Sequence, residues 1–305
     1  MADLQGCTLV LATDARFVMP TAVALRSFLT HAESVPEVVI LELGVDEASR
    51  RLIERSVPSE VPIRWASMEG IEIRPHLRSH LPLSCYFRLW APRLVGPGTT
   101  RLLYIDGDVL VRRPMDDLWS LDLGDHVLAA VRSVNYPSIG TRGALDNWRA
   151  LGVNPRSRYF NSGVLVIDAA RWAEERMTER SVDHITSPLS GRGVDQEAMN
   201  AVLDDAWTEL DPRWNQQPSL LDDTHGAALL YDDEVVQAAR RDPVVVHFQE
   251  RSKPWQADCD HPWTNEWRAT AAETAFAPIQ LERVRAREVA RWRVKRAASA
   301  LVRGR

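Results

Sequence analysis

Cysteine is scarce: three in 305 residues, Cys7, Cys85 and Cys259, far apart and in no Cys-x-x-Cys pair. That argues against a disulfide framework or a zinc knuckle and makes a reducing compartment the expectation. No uninterrupted apolar stretch approaches the roughly 18 residues of a membrane span, because charges break every candidate. The opening MADLQGCTLVLATDARF lacks a basic segment and a small-residue cleavage pattern, so no secretory signal and a cytoplasmic location are expected. Internal repeats and low-complexity tracts are missing as well. What is present, 45% hydrophobic and 26% charged residues, is the balance of a folded globular chain with a sizeable core, not of a disordered one.

Charge is unevenly spread. Residues 279–305 carry nine Lys and Arg against Glu282 and Glu288, so a net charge of −5 leaves −12 for the rest. An acidic body does not suit a phosphate backbone, and nucleic acid is not an expected partner. The tail reads as helical, with Leu281, Val284 and Trp292 on one face but Ala290, Val294, Ala297 and Leu301 opposite. That pattern does not make an in-plane membrane helix. A basic tail with Trp292 still suits peripheral contact with an anionic inner membrane face, and a solvated terminus is the competing reading. The expected division is a catalytic domain over 1–270 and a basic helical tail over 271–305.

Along the body, apolar runs alternate with helix-like stretches. Residues 7–12 (CTLVLA), 38–45, 102–105 (LLYI), 127–131, 164–167 and 244–246 read as buried strands. Residues 21–31 and 47–56 read as helices between them. The pattern predicts an α/β fold with a mainly parallel central sheet flanked by helices. Residues 75–82 and 135–158 read as long loops. In such sheets chemistry gathers at the carboxyl ends of strands, so the residues after each run matter. Thr13-Asp14 follows the first, Asp106-Gly107-Asp108 follows LLYI, and His247 follows Val244-Val245-Val246.

Two carboxylates spaced i, i+2 on a strand face one side, and like charges that close call for a cation between them. Hard oxygen ligands suit Mg²⁺ or Mn²⁺, and an imidazole such as His247 moves the preference toward Mn²⁺. The plainer alternative is an Asp-Gly turn with a structural histidine. Asp195-Gln196 opens a helix predicted over 195–203, where Asp195 is either a functional carboxylate or an N-cap. Asn161, in Phe160-Asn161-Ser162-Gly163, is either part of an ordinary turn or an amide suited to sugar hydroxyls. Lys253, before Pro254-Trp255, is either a phosphate-neutralising charge or a surface lysine.

These segments together resemble the retaining glycosyltransferases of family 8. The landmarks are Ala12-Thr13-Asp14, SCYFRL (84–89), LLYIDGDVLV (102–111), YFNSGVLVID (159–168), VDQEAMN (194–200) and HFQERSKPW (247–255), in the family's order. The resemblance implies a GT-A, Rossmann-like fold that binds a nucleotide sugar, usually a UDP-sugar, with Mn²⁺ or Mg²⁺. It implies Asp106, Asp108 and His247 as metal ligands, and Ala12, Thr13, Asp14, Tyr86, Arg88, Gly107 and Lys253 around the nucleotide and diphosphate. Asn161, Asp195 and Gln196 fall around the donor sugar as the catalytic group. The implied reaction moves a hexose to a hydroxyl of a saccharide, lipid-linked glycan or small metabolite, with the metal and Lys253 taking up charge on the leaving diphosphate. Three positions depart from the family pattern: Glu250 where glycine is usual, Arg16-Phe17 after the ATD element, and Arg132-Ser133 after the strand 127–131. They motivate a second reading, a non-catalytic nucleotide-sugar-binding relative. A third is a phosphatase of the haloacid dehalogenase type with Asp106 as nucleophile.

Overall fold

The computed structural model describes residues 4–72, 74–75, 82–222 and 227–283. Nine strands are found among them: β1 (Cys7–Asp14), β2 (Glu37–Leu43), β3 (Ile63–Ser67), β4 (Arg101–Ile105), β5 (Val109–Val111), β6 (Leu128–Arg132), β7 (Phe160–Asp168), β8 (Thr208–Leu210) and β9 (Val245–His247). Seven form one sheet in the order β3-β2-β1-β4-β7-β6-β8, while β5 and β9 form a separate antiparallel pair. The pairs β1–β2, β1–β4, β2–β3 and β6–β8 are parallel. Strand β7 runs antiparallel to both neighbours, β4 and β6. The expected α/β architecture with a mostly parallel central sheet is the one found.

The continuous apolar runs are explained by cover on both faces. Leu9 and Leu11 of β1 join Val38, Ile40, Leu103 and Ile105 in one core, with Ala22, Leu25 and Phe28 of the helix Val18–His31. The alternate residues Val10 and Ala12 join Val39, Leu41, Leu102 and Tyr104 in the other, with Phe87 and Leu89 of the 3₁₀ turn Leu83–Leu89 and Met199 of the helix Asp195–Leu203. A period of two thus loads both faces, as a buried strand requires.

Three expectations need correction. Phe160–Gly163 is not a turn before a strand but the first part of β7, whose burial is complete from Phe160 to Ile167. Its register with β6 shifts between Ala130 and Val131, and past that irregularity Val131 faces Asn161. Such shifts re-aim side chains beside functional sites. Strands β3 and β8 were not expected, since their half-exposed sequences, IRWAS and TEL, carry no continuous apolar run.

The third concerns the tail. The helix Thr264–Ala272 crosses the expected boundary at residue 270, and its Trp267 and Ala271 are buried in the body. The next described residues, through Arg283, are not helical. Glu282 makes an extended bridge to Gln256, its N–H donating to the Trp255 carbonyl at 2.9 Å and its own carbonyl accepting from Ala257 at 3.0 Å. Backbone groups bonded across the chain are not available to a helical ladder. The remainder of the predicted tail, 284–305, lies outside the described residues, as do 76–81 of the loop predicted over 75–82. No helix among the described residues is long and apolar enough to cross a membrane.

Candidate active site

The break between β4 and β5 is the centre of the site. β4 ends at Ile105 in the large sheet, and β5 begins at Val109 in the small one, so Asp106-Gly107-Asp108 forms the turn that carries the chain between them. The Asp-Gly turn is therefore present, and it does not exclude the functional reading, because the same turn holds both carboxylates at one place. Pairing of β5 with β9 sets Val109 opposite His247, which brings the imidazole to the two carboxylates. One ligand atom from each of Asp106, Asp108 and His247 lies within 4.8 Å of the others. His247 Nε2 stands 3.3 Å from Asp108 Oδ1 and 3.7 Å from Asp106 Oδ2.

Two glycines make this approach feasible. A Cβ on Gly163 would stand 2.1 Å from His247 Cε1 and 3.0 Å from Asp106 Oδ2, so no other residue leaves room for the cluster. A Cβ on Gly107 would meet Thr21 Oγ1 at 2.8 Å and the Phe17 ring at 3.0 Å. The turn is thus pressed against the start of the helix Val18–His31.

Each carboxylate has its own cation. Arg88, almost fully buried, sends Nη2 to Asp106 Oδ1 at 2.8 Å and Nε to Asp195 Oδ2 at 2.8 Å, donates to the Ser162 carbonyl, and lies over the Tyr104 ring. Lys253 Nζ stands 2.6 Å from Asp108 Oδ2 and also donates to the Phe248 carbonyl. Burial pushes the Asp106 carboxyl above the ordinary range, against the pull of Arg88. For Asp108, burial acts in the same direction, but Lys253 and His247 outweigh it and hold the group below that range. Asp195 is raised by burial, with Arg88 opposing. Two oxygen donors and an imidazole nitrogen in this space suit a hard-to-borderline divalent ion, Mg²⁺ or Mn²⁺. The residues present fit the metal that the motif implies.

Around them opens a cleft of about 520 Å³, lined by Ala12, Arg88, Gly107, Asn161, Asp195, Gln196 and Lys253 as well as the three candidate ligands. Sequence-predicted residues from β1, β7, the helix Asp195–Leu203 and the segment after β9 therefore meet in one place. Asp195 is the first residue of its helix, the N-cap position falling to Val194. Thr13, Asp14 and Tyr86 are not part of the lining. Asp14 accepts from Ser84 Oγ at 2.8 Å and from the Arg16 N–H at 2.9 Å. Tyr86 donates its hydroxyl to the Gly193 carbonyl at 2.7 Å and so braces the approach to Asp195.

Asn161 reaches the cleft with its amide committed to protein groups. Its Nδ2 donates to Gln249 Oε1 at 2.7 Å and to Gln196 Oε1 at 3.2 Å, and Gln196 Oε1 also accepts from the Ser162 N–H at 3.1 Å. Sequence reasoning passed over Gln249, Gly163, Ser84, Tyr136, Arg192 and Asn215. Gly163 and Ser84 lay inside the family landmarks. The overlooked signal for Asn215 is the run Asn215-Gln216-Gln217 between Pro212 and Pro218: three consecutive amides, all with no exposure. Buried amides in series are there to satisfy partners.

Comparison with known proteins agrees with this geometry. Residues 8–259 match the family described as Glycosyl transferase family 8. General stress protein A of Bacillus subtilis (strain 168) is 29% identical over 249 residues, 79% of this chain and 84% of that protein. Lipopolysaccharide 1,2-glucosyltransferase of Escherichia coli (strain K12) is 30% identical over 183 residues, 58% of this chain but only 49% of that protein. Among solved structures, that of the galactosyltransferase LgtC in complex with donor and acceptor sugar analogs superposes with a TM-score of 0.71 at 21% identity, covering 89% of this chain and 97% of that one. The fold is the GT-A fold.

Proposed function

Because this chain belongs to glycosyltransferase family 8 and is a glycosyltransferase, we propose that it moves a hexose from a nucleotide sugar, a UDP-sugar such as UDP-glucose or UDP-galactose, to an acceptor hydroxyl with retention of configuration. The acceptor class is a saccharide, a lipid-linked glycan or a small metabolite, and the cofactor is Mn²⁺ or Mg²⁺. The observation that carries this reading is the meeting of Asp106, Asp108 and His247 within 4.8 Å at the cleft. A lipopolysaccharide glucosyltransferase among the relatives supports a hexose donor and a saccharide acceptor.

In this reading Asp106, Asp108 and His247 hold the cation. When bound, the cation supplies Lewis-acid stabilisation of a leaving diphosphate, which removes the need for a protein general acid. Lys253 adds a second positive charge beside Asp108, where a departing nucleoside diphosphate gains charge. Arg88 ties Asp106 to Asp195, so the metal-side and sugar-side carboxylates share one buried guanidinium. Asp195 Oδ2 is engaged by Arg88 and by Ser162 Oγ, and Gln196 offers only a neutral amide. Neither is a strong nucleophile, which favours departure and attack on the same face over a covalent intermediate.

The phosphatase reading is set aside, because residues 8–259 match glycosyltransferase family 8. A non-catalytic relative is kept as the second reading by Glu250, which lines the cleft beside Arg251 and Lys253. Release of nucleotide from a panel of UDP-, GDP- and dTDP-sugars, with and without Mn²⁺, separates the two. Metal-dependent release from one UDP-sugar is expected; binding of UDP with no turnover of any donor in the presence of acceptor hydroxyls would favour the second. A cytoplasmic location and contact of the basic segment 279–305 with an anionic membrane face complete the proposal, supported by its nine Lys and Arg against two acids.

A further inference from the structure

Behind the Asp-Gly-Asp turn lies a series of side-chain amides whose polarity can be followed atom by atom. It starts from a group with no choice of role: the Gly163 backbone N–H donates to Asn161 Oδ1 at 3.0 Å. Asn161 Oδ1 is therefore an acceptor, and Asn215, 2.7 Å from it, presents Nδ2. With Nδ2 turned that way, Asn215 turns Oδ1 toward His247, whose Nδ1 lies 2.9 Å away. A carbonyl oxygen only accepts, so Nδ1 carries the hydrogen. In the neutral ring, Nε2 then keeps its lone pair, and the partner of one ring nitrogen dictates the role of the other. Nε2 is the atom that faces Asp106 and Asp108. Asn215 has no exposure and is not part of the cleft lining, so it acts on the site only through its two partners, His247 and Asn161, and His247 is the one that faces the carboxylates.

We propose that Asn215 is a positioning residue of the metal site: by accepting the Nδ1–H it holds His247 in the tautomer that offers Nε2 to the cation. This rests on the metal-dependent reading above. It also explains why an amide, and not an apolar residue, occupies a fully enclosed position next to a ligand. Groups that orient a metal-binding histidine in this way contribute strongly to affinity.

The test joins a spectrum of the unaltered protein to metal titrations of two variants. In ¹⁵N-histidine-labelled wild-type protein without metal, with the His247 signals assigned by comparison with His247→Gln, the neutral ring carries its hydrogen on Nδ1. Mn²⁺ affinity, measured by calorimetry, falls about 10–100-fold in Asn215→Leu, which keeps the shape and removes the acceptor. It falls less in Asn215→Asp than in Asn215→Leu, because the carboxylate still accepts from Nδ1 although it loses the donation to Asn161 Oδ1. An unprotonated Nδ1 in the wild type would overturn the proposal, as would wild-type affinity in Asn215→Leu. The wild-type spectrum stands even where a variant fails to fold. Protein that shows the Nδ1 proton but takes up no Mn²⁺ would overturn the metal reading and the proposal with it. Protein that binds Mn²⁺ through a ring with bare Nδ1 would overturn the proposal alone.

Discussion

At the scale of single residues, the two carboxylates of the turn are not equivalent. Asp108 sits with Lys253, which is 18% exposed, whereas Asp106 shares a nearly enclosed Arg88 with Asp195. Loss of a buried charge partner costs stability as well as function. Both Asp106→Asn and Asp108→Asn are expected to abolish Mn²⁺-dependent nucleotide release. Asp106→Asn is expected to lower the melting temperature more, because Arg88 is left with one carboxylate. Equal melting temperatures for the two would contradict the assignment of Arg88. Gly163→Ala makes a sharper test, since its methyl group falls 2.1 Å from the His247 ring. The ring must move, so Mn²⁺ affinity should drop at least as far as in His247→Ala, and calorimetry measures it directly.

At the scale of elements, the site depends on β9 and the segment that succeeds it. Phe248, directly after His247, packs with Trp255 and Trp267 of the helix Thr264–Ala272 in a small separate core. The His261 ring lies against Phe248 at 4.6 Å. Burial lowers the His261 pKa from 6.5 to about 4, with Asp260 opposing. The unfolded chain therefore binds a proton in this interval that the native state does not. The contribution of His261 to stability is full above pH 6.5 and is lost as pH falls from there through about 4. Melting temperatures across that window should fall less steeply for His261→Phe than for wild type; identical slopes would show that this ring does not titrate with unfolding. The same elements show where sequence reading stopped. The strands β1, β2, β4 and β9 were legible because burial on both faces leaves an unbroken apolar run. β3 and β8 were not, because half-exposed edges spread their polar residues through the strand. The antiparallel course of β7 was equally hidden, since direction is a property of pairing and not of composition.

At the scale of the molecule, most of the site could be read because it lies at strand ends and helix starts, where apolar runs stop and polar residues stand out. Asp106, Asp108, His247, Asn161, Asp195, Gln196 and Lys253 all do converge. What escaped was the set of groups that hold them in place. Asn215 comes from a loop far along the chain, and Gly163 shows its purpose only when His247 is set against it. Neither relation has a spacing that a linear pattern could reveal. Within the described part of the expected tail, residues 273–283 are not helical for a similar reason, because Glu282 bonds back to residues 255–257 across the fold. The central claim is that one divalent cation joins three side chains brought together by the pairing of β5 with β9. Anomalous scattering at the manganese edge, from crystals soaked with Mn²⁺ and UDP, tests it most directly. A single strong peak in coordination contact with Asp106, Asp108 and His247 Nε2 is the predicted result. UDP bound in the cleft with no manganese peak at these three residues, or with the peak held by other groups, would contradict it.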